Sequence, residues 1–306
     1  MLNYKCTTPV LIIIFNRPDF VKNLIDILRF VRPTILYVVA DGPRNEKIDD
    51  IDKCLNARNQ IDKIDWECNI KKKYSEKNLG CGINPSQGIS WALSQSEEVI
   101  ILEDDCMPSI DFFKYCDELL NLYKNDQRIM MISGNNHTLG KFDFDYSYEF
   151  SHHTQTYGWA TWSRAWSKYD FNISKWPEVS SLDWLEDITD SKKAAKYWFN
   201  IFEMCYQKKL ASAWDYQWTF CCWINKGLNI IPSVNLVTNV GFSEGGTHEI
   251  DPNHPISELP MGSISFPLTH SPKLENNKKL NKVIQQIIYT PTLYKRIISK
   301  LFRMIK

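Results

Sequence analysis

The feature that most constrains this chain is a set of short, β-branched apolar runs, each cut off by a polar cluster. PVLIIIF (9–15) gives way to Asn16-Arg17-Pro18-Asp19, ILYVVAD (35–41) runs into Asp41-Gly42-Pro43-Arg44, and EVIILEDD (98–105) ends in Glu103-Asp104-Asp105. Runs of this length and composition read as strands buried on both faces. Between them lie segments of helical periodicity: 20–30, with apolar residues at 20, 21, 24, 25, 27 and 28, then about 84–95, then 109–123. Two further strands fall near 68–74 and at 129–134. Strands alternating with helices predict an α/β fold with a mostly parallel central sheet flanked by helices. Ligands of such sheets bind outside the carboxyl ends of the strands, where all three polar clusters lie.

Composition narrows the class. With 306 residues, 43% hydrophobic and 24% charged, the chain can bury a large core without disulfide or metal support. Thirty-six basic residues balance 36 acidic ones, which gives no net attraction to nucleic acid. The nine cysteines show no C-x-x-C spacing and no leader precedes them, so a reduced, cytoplasmic protein is expected. The longest apolar run, VLIIIF at 10–15, is too short to cross a bilayer.

Of the three clusters, the acidic one is the most informative. Carboxylates packed at the end of an apolar strand repel one another unless a cation or buried donors offset them. A hard divalent ion, Mn²⁺ or Mg²⁺, held by one or two carboxylates and by substrate phosphates, would supply that offset. Negative charge beside the start of the following helix is the plain alternative. Arg17 and Asp41 are weak signals singly, yet with the triplet they make a site able to read a base and neutralise a diphosphate.

The segments PVLIIIFNRPD, VVADGPR, NPSQGISWALSQSEEVIILEDDCMPSIDFFKYCDELL, YGWATWSRAW and WDYQW together resemble glycosyltransferases of the GT-A fold. Within that fold they are similar to N-acetylglucosaminyltransferase I and to bacterial surface-polysaccharide transferases. The likeness runs from about Pro9 to His248. It implies a GT-A sheet, a nucleotide-sugar donor such as a UDP-sugar, and a metal held by Asp105. It further implies contacts to the uracil from Arg17 and Asp41, contacts to the ribose or sugar from Asp104, and a donor-site place for Glu103. The stretch EKNLGCGINPSQG (76–88) departs from the pattern, lacking the basic and histidine residues expected there.

Nine of the eleven tryptophans fall between Trp159 and Trp223, so the second half differs chemically from the first. Most are expected in the core, because Trp162/Trp166 and Trp214/Trp218 are four apart. Residues 157–162 resemble the family's Gly-Trp segment, which implies that Gly158 lets the chain approach the donor closely. Trp159 and Trp214 are assigned to the site, where aromatic rings suit sugar faces. Asp215 reads from the residues alone as a helix cap. The resemblance makes it the catalytic base, with bulky neighbours that raise its pKa. His248 follows the Gly-rich stretch of a loop expected to close over the donor. His152 and His153 are not expected to share one site, since neighbours on a strand point to opposite faces.

The tail has its own character. From Asn276 to Lys306 there are eight basic residues and no acidic one, against 28 basic and 36 acidic residues before it. Apolar residues from Leu293 to Ile305 at helical spacing suit an anionic membrane surface, and equally a helix docked on the protein or on a second copy. Three regions are therefore expected: a nucleotide-sugar-binding half (1–105), an acceptor-binding and catalytic half of the same domain (106–272), and a basic amphipathic tail (273–306).

The function expected is an inverting, metal-dependent transfer of a sugar to a hydroxyl of a bacterial surface glycan or lipid-linked oligosaccharide, in the cytoplasm or at the inner face of the membrane. A sugar-nucleotide nucleotidyltransferase and a non-catalytic glycan-binding protein stand as alternatives.

Overall fold

The computed structural model describes residues 4–210, 212–242, 255–257 and 259–290. Along the chain these form β1 (Val10–Ile14), α1 (Pro18–Val31), β2 (Ile35–Ala40), α2 (Asp50–Gln60), β3 (Asn69–Tyr74), α3 (Gly80–Leu93), β4 (Glu98–Glu103), β5 (Cys106–Pro108) and α4 (Ile110–Leu122). There follow β6 (Ile129–Ser133), β7 (Tyr148–Ser151), β8 (Trp159–Trp162), α5 (Ser163–Trp166), α6 (Trp176–Val179), α7 (Leu182–Thr189), α8 (Lys192–Tyr206), α9 (Asp215–Ile224), β9 (Leu228–Pro232), β10 (Val237–Asn239) and α10 (Lys278–Ile284).

Eight strands make one sheet in the order β3-β2-β1-β4-β8-β6-β9-β7. Its first four strands are parallel, with Val10 opposite both Leu36 and Ile100. Beyond them, β8 runs antiparallel to β4 and β6, and β7 antiparallel to β9. The sheet is thus mostly parallel in the half that carries the three polar clusters, and it continues unbroken into the Trp-rich half.

The continuous apolar runs follow from two cores, one on each face. Val10, Ile12 and Ile14, with Val38 and Leu102, pack under Leu24 and Leu28 of α1 and Phe112 and Leu119 of α4. The intervening residues, Leu11, Ile13, Val39 and Ile101, pack on the other face against Ile89 of α3 and the tryptophan cluster. Period-2 alternation sends neighbours to opposite faces, so every residue of such a strand must be apolar. Lysines 71–73 line β3 at the sheet edge, where charge discourages pairing with another chain.

Within residues 1–105 two helices differ from the sequence expectation. Helix α2 was not expected, because only Asp50, Cys54 and Ala57 of it are buried and the apolar stripe is faint. Helix α3 begins at Gly80, four residues ahead of the expected start. Its opening is set by a distant side chain: the Asp41 carboxylate accepts the backbone N–H groups of Leu79 (2.8 Å) and Gly80 (2.9 Å). A carboxylate supplied from another strand leaves no local capping signature.

The tail divides. Leu280 and Ile284 of α10 pack on Ile231 of β9, and the Trp198 indole donates to Gln285 (2.9 Å), so the first part of the basic tail is docked on the body. The amphipathic stretch from Leu293 onward lies outside the described residues. No helix among the described residues is long and apolar enough to cross a membrane.

Candidate active site

Because β2, β1 and β4 are parallel neighbours, their carboxyl ends deliver Asp41, Arg17 and the acidic triplet side by side. Asp41, Arg17, Glu103 and Asp104 line one cavity of about 170 Å³, closed on the far side by Asn84 and Pro85 of α3.

At its centre, the Arg17 guanidinium bridges two carboxylates, pairing with Asp104 through one nitrogen and with Asp105 through the other (2.9 Å). Asp104 is buried and also accepts the Phe15 N–H (3.1 Å), tying the end of β4 to the end of β1. Burial opposes the Arg17 charge, yet the two aspartates hold its proton more firmly than in water. Burial likewise pushes the Asp104 carboxyl up, with Arg17 opposing. Asp105 is the more exposed partner. Its Oδ1 is approached by the Asn239 amide (3.4 Å), and its backbone carbonyl accepts Val240 N–H (2.9 Å). The β5–β10 ribbon makes that approach by pairing Cys106 with Asn239. A side chain at Gly241 would collide with the Asp105 carboxylate.

Glu103 differs from its neighbours. No donor among the described residues hydrogen-bonds to its carboxylate, and burial, then Asp105 and Asp104, push that carboxyl well up, with a smaller push from Asp215. Three carboxylates thus face one guanidinium, an excess of negative charge that a cation would relieve. The residues present therefore fit a hard divalent ion. Among the described residues, no group of three His, Cys, Asp or Glu side chains is placed to hold a metal by itself. Such an ion would draw its remaining ligands from a diphosphate and water.

Asp41 is held differently. One oxygen accepts from Gly42 N (2.9 Å) and Leu79 N, the other from Gly80 N and the Asn78 amide (3.2 Å). Burial raises its pKa while these donors lower it. Asn78 is thus a site residue that the sequence did not single out, because a lone Asn in a loop carries no signal of its own. Arg44 lines the same cavity and is anchored to Asp50 (2.6 Å), which also receives the Asn16 amide (2.7 Å).

From the second half, Asp215 opens α9 as its first residue, with Trp214 in the capping position and no side-chain cap. Asp215 therefore stands one residue inside the helix, not in the capping position that the residues alone suggested. Its charge acts on Glu103 and Cys81, which line the cavity, and on Tyr157. Burial first, then Asp215, Asp105 and Glu103, raise the Tyr157 phenol. Tyr157 is therefore set among the carboxylates of both halves, and it was named in the sequence only as part of a motif.

Trp159 and Trp214 stack on each other (5.6 Å between ring centres), at 1% and 5% exposure, within a cluster that includes Trp166 and Trp218. Both are packed in the core, and the Trp159 indole N–H has no partner among the described residues. Gly158, at φ +77°, does permit a close approach, but to the protein itself: an added Cβ would lie 2.8 Å from Val237. His152 and His153 do share a site, contrary to expectation. β7 ends at Ser151, alternation ends with it, and their Nε2 atoms meet at 3.1 Å. His248 lies outside the described residues.

Comparison with known proteins adds the family. The GNT-I family matches residues 2–212. No curated protein matches the chain. Among solved structures, mouse xyloside xylosyltransferase 1 in its apo form is similar at 9% identity and a TM-score of 0.37, over 71% of this chain and 81% of that one. A cytidylyltransferase from Leptospira borgpetersenii is similar at 11% identity and 0.30, over 63% and 72%. UDP-glucose pyrophosphorylase bound to UDP-glucose is similar at 13% and 0.24, over 41% and 56%. Likenesses this loose carry no reaction or substrate across. The match over two thirds of the length does carry the class: the chain belongs to the GNT-I family and is a glycosyltransferase.

Proposed function

We propose that the protein is an inverting, metal-dependent glycosyltransferase that takes its sugar from a UDP-sugar and passes it to a hydroxyl of a bacterial surface glycan or lipid-linked oligosaccharide. Members of the family use a nucleotide-sugar donor and typically a divalent metal. The observation that carries the reading is the convergence of Asp41, Arg17, Glu103 and Asp104 on one cavity, with Asp105 ion-paired to Arg17 (2.9 Å).

In this reading the uracil and ribose enter between Asp41, Arg17 and Asp104, and the diphosphate lies toward Asp105. Asp105, with Glu103 beside it, would hold Mn²⁺ or Mg²⁺, which when bound neutralises charge on the leaving diphosphate. Arg17 fixes the two aspartates in place, which keeps the donor end of the site preorganised. Asp215 takes the proton from the acceptor hydroxyl as its oxygen bonds to the anomeric carbon of the donor sugar, from the face opposite the diphosphate, whose bond to that carbon breaks. Inversion needs one such base. The two halves of the sheet then have separate duties, 1–105 for the donor and 106–272 for the acceptor.

The test is release of UDP from UDP-sugars in Mn²⁺, with and without acceptor glycan, set against release of pyrophosphate from UTP. Acceptor-stimulated UDP release supports the reading. Pyrophosphate release without sugar transfer would favour a nucleotidyltransferase, and neither activity would favour a glycan-binding protein. A thermal-shift series with nucleotide sugars and Mn²⁺ identifies the donor, since a ligand that binds only the folded state raises the melting temperature.

A further inference from the structure

Helix α3 lines more than the donor cavity. Gly80 and Asn84, near its start, face that cavity, and Gln87 and Trp91 line a second, open groove of about 520 Å³. Positions 80, 84, 87 and 91 follow one face of a helix, so a single stripe, roughly 16 Å long at 1.5 Å per residue, runs from the donor site into the groove. The opposite wall is formed by Tyr169, Asp170 and Phe171.

Both walls are fixed to the active site. Tyr169 stacks on Trp166 (4.2 Å, 10° between planes), and the Trp166 indole donates to Ser90 Oγ of α3 (2.9 Å). The Tyr169 hydroxyl donates to the carbonyl of Trp214 (3.1 Å), the residue before Asp215. Trp91 is held edge-on against Tyr37 (5.4 Å) and remains partly exposed. Its indole N–H, and the amide of exposed Gln87, have no hydrogen-bond partner among the described residues.

We propose that this groove binds the acceptor as an extended carbohydrate chain, with Trp91 as a stacking platform and Gln87 as a hydroxyl-binding group. The proposal rests on the glycosyltransferase reading above and adds where the acceptor chain lies and which side chains hold it. Rigid aromatic rings beside uncommitted amide and indole N–H groups match a molecule with apolar ring faces and hydroxyl edges. One ammonium, Lys73, and one carboxylate, Asp170, leave the groove without the net positive charge that nucleic acid or an anionic lipid surface requires. Its volume falls in the range of small-molecule sites.

The test is binding of the fluorescently labelled full-length protein to a printed array of defined neutral and acidic oligosaccharides of graded length. Wild-type protein is expected to bind at least one oligosaccharide while ignoring its monosaccharide, and Trp91→Ala and Gln87→Ala are expected to weaken that binding about tenfold. Gln87 is exposed and leaves the core untouched, so it serves even if Trp91→Ala folds poorly. Absence of oligosaccharide binding, or binding that both folded variants retain in full, overturns the proposal. Nucleotide-sugar binding by the wild-type protein, measured by calorimetry, reports separately on the donor site. If that fails while the Gln87-sensitive oligosaccharide binding stands, the donor reading falls and the groove remains.

Discussion

Arg17, just beyond the end of β1, is ion-paired with Asp104, just beyond the end of β4 on the neighbouring strand, and its second nitrogen reaches Asp105. One guanidinium thus restrains two adjacent carboxylates at the floor of the site. Removing it leaves those charges close together and poorly solvated. Arg17→Ala is expected to lower stability by about 3 kcal/mol, the scale for breaking a buried pair. Urea denaturation measures this, and a loss below about 1 kcal/mol would show that the pair is solvated and inconsequential.

Asp105 separates metal binding from folding. Asp105→Asn keeps the shape of the side chain and its reach toward Arg17 while removing the charge that a divalent ion needs. Calorimetry of UDP with the variant is expected to give the same weak affinity with and without Mn²⁺, whereas the wild type tightens in Mn²⁺. Equal tightening in both proteins counts against Asp105 as the ligand.

Asp215 is the first residue of α9, behind Trp214 in the capping position, so its substitution separates a catalytic from a helix-end role. Asp215→Asn is expected to reduce turnover by roughly 10²–10⁴ with little change in donor affinity. Stability should fall by no more than about 1 kcal/mol, the worth of a charge in the first turn of a helix. A variant that turns over its acceptor at the wild-type rate removes Asp215 from the mechanism.

The His152–His153 pair carries a pH dependence. Burial lowers the pKa of His152 to about 3, and burial together with His152 lowers that of His153. Below about pH 6.5 the unfolded chain binds protons that the folded pair refuses, so this part of the stability is present at neutral pH and is lost as pH falls. The slope approaches about 1.4 kcal/mol per pH unit for each imidazole. Carboxylates elsewhere titrate too, so the informative quantity is a difference. Changing His152→Leu and His153→Leu together should flatten the stability profile between pH 6.5 and 4.5 relative to wild type. Parallel profiles would show that the pair does not hold off protons.

Gly158 combines a left-handed backbone, at φ +77°, with close approach to Val237. Gly158→Ala adds strain and overpacking together and is expected to cost roughly 2–4 kcal/mol. Pairing it with Val237→Ala should restore part of the loss, which thermal denaturation of the double variant would show.

The apolar runs at 10–14, 35–40 and 98–103 could be read directly, because strands buried on both faces admit only apolar residues and their ends are marked by charge. That signal is local, and with the helices between the strands it sufficed to put Arg17, Asp41 and the acidic triplet on one edge. It did not reveal which groups those side chains would meet. Asp41 caps a helix 39 residues away, Arg17 reaches across 87 residues to Asp104, and Tyr157 comes among carboxylates from both halves. Likewise, Trp159 and Trp214 carry the same aromatic signature whether they hold a sugar or each other, and only the packing placed them in the core. Local composition determines which segments become strands and helices. The partners of a side chain are decided by contacts between residues distant in sequence, and these exist only once the sheet has assembled.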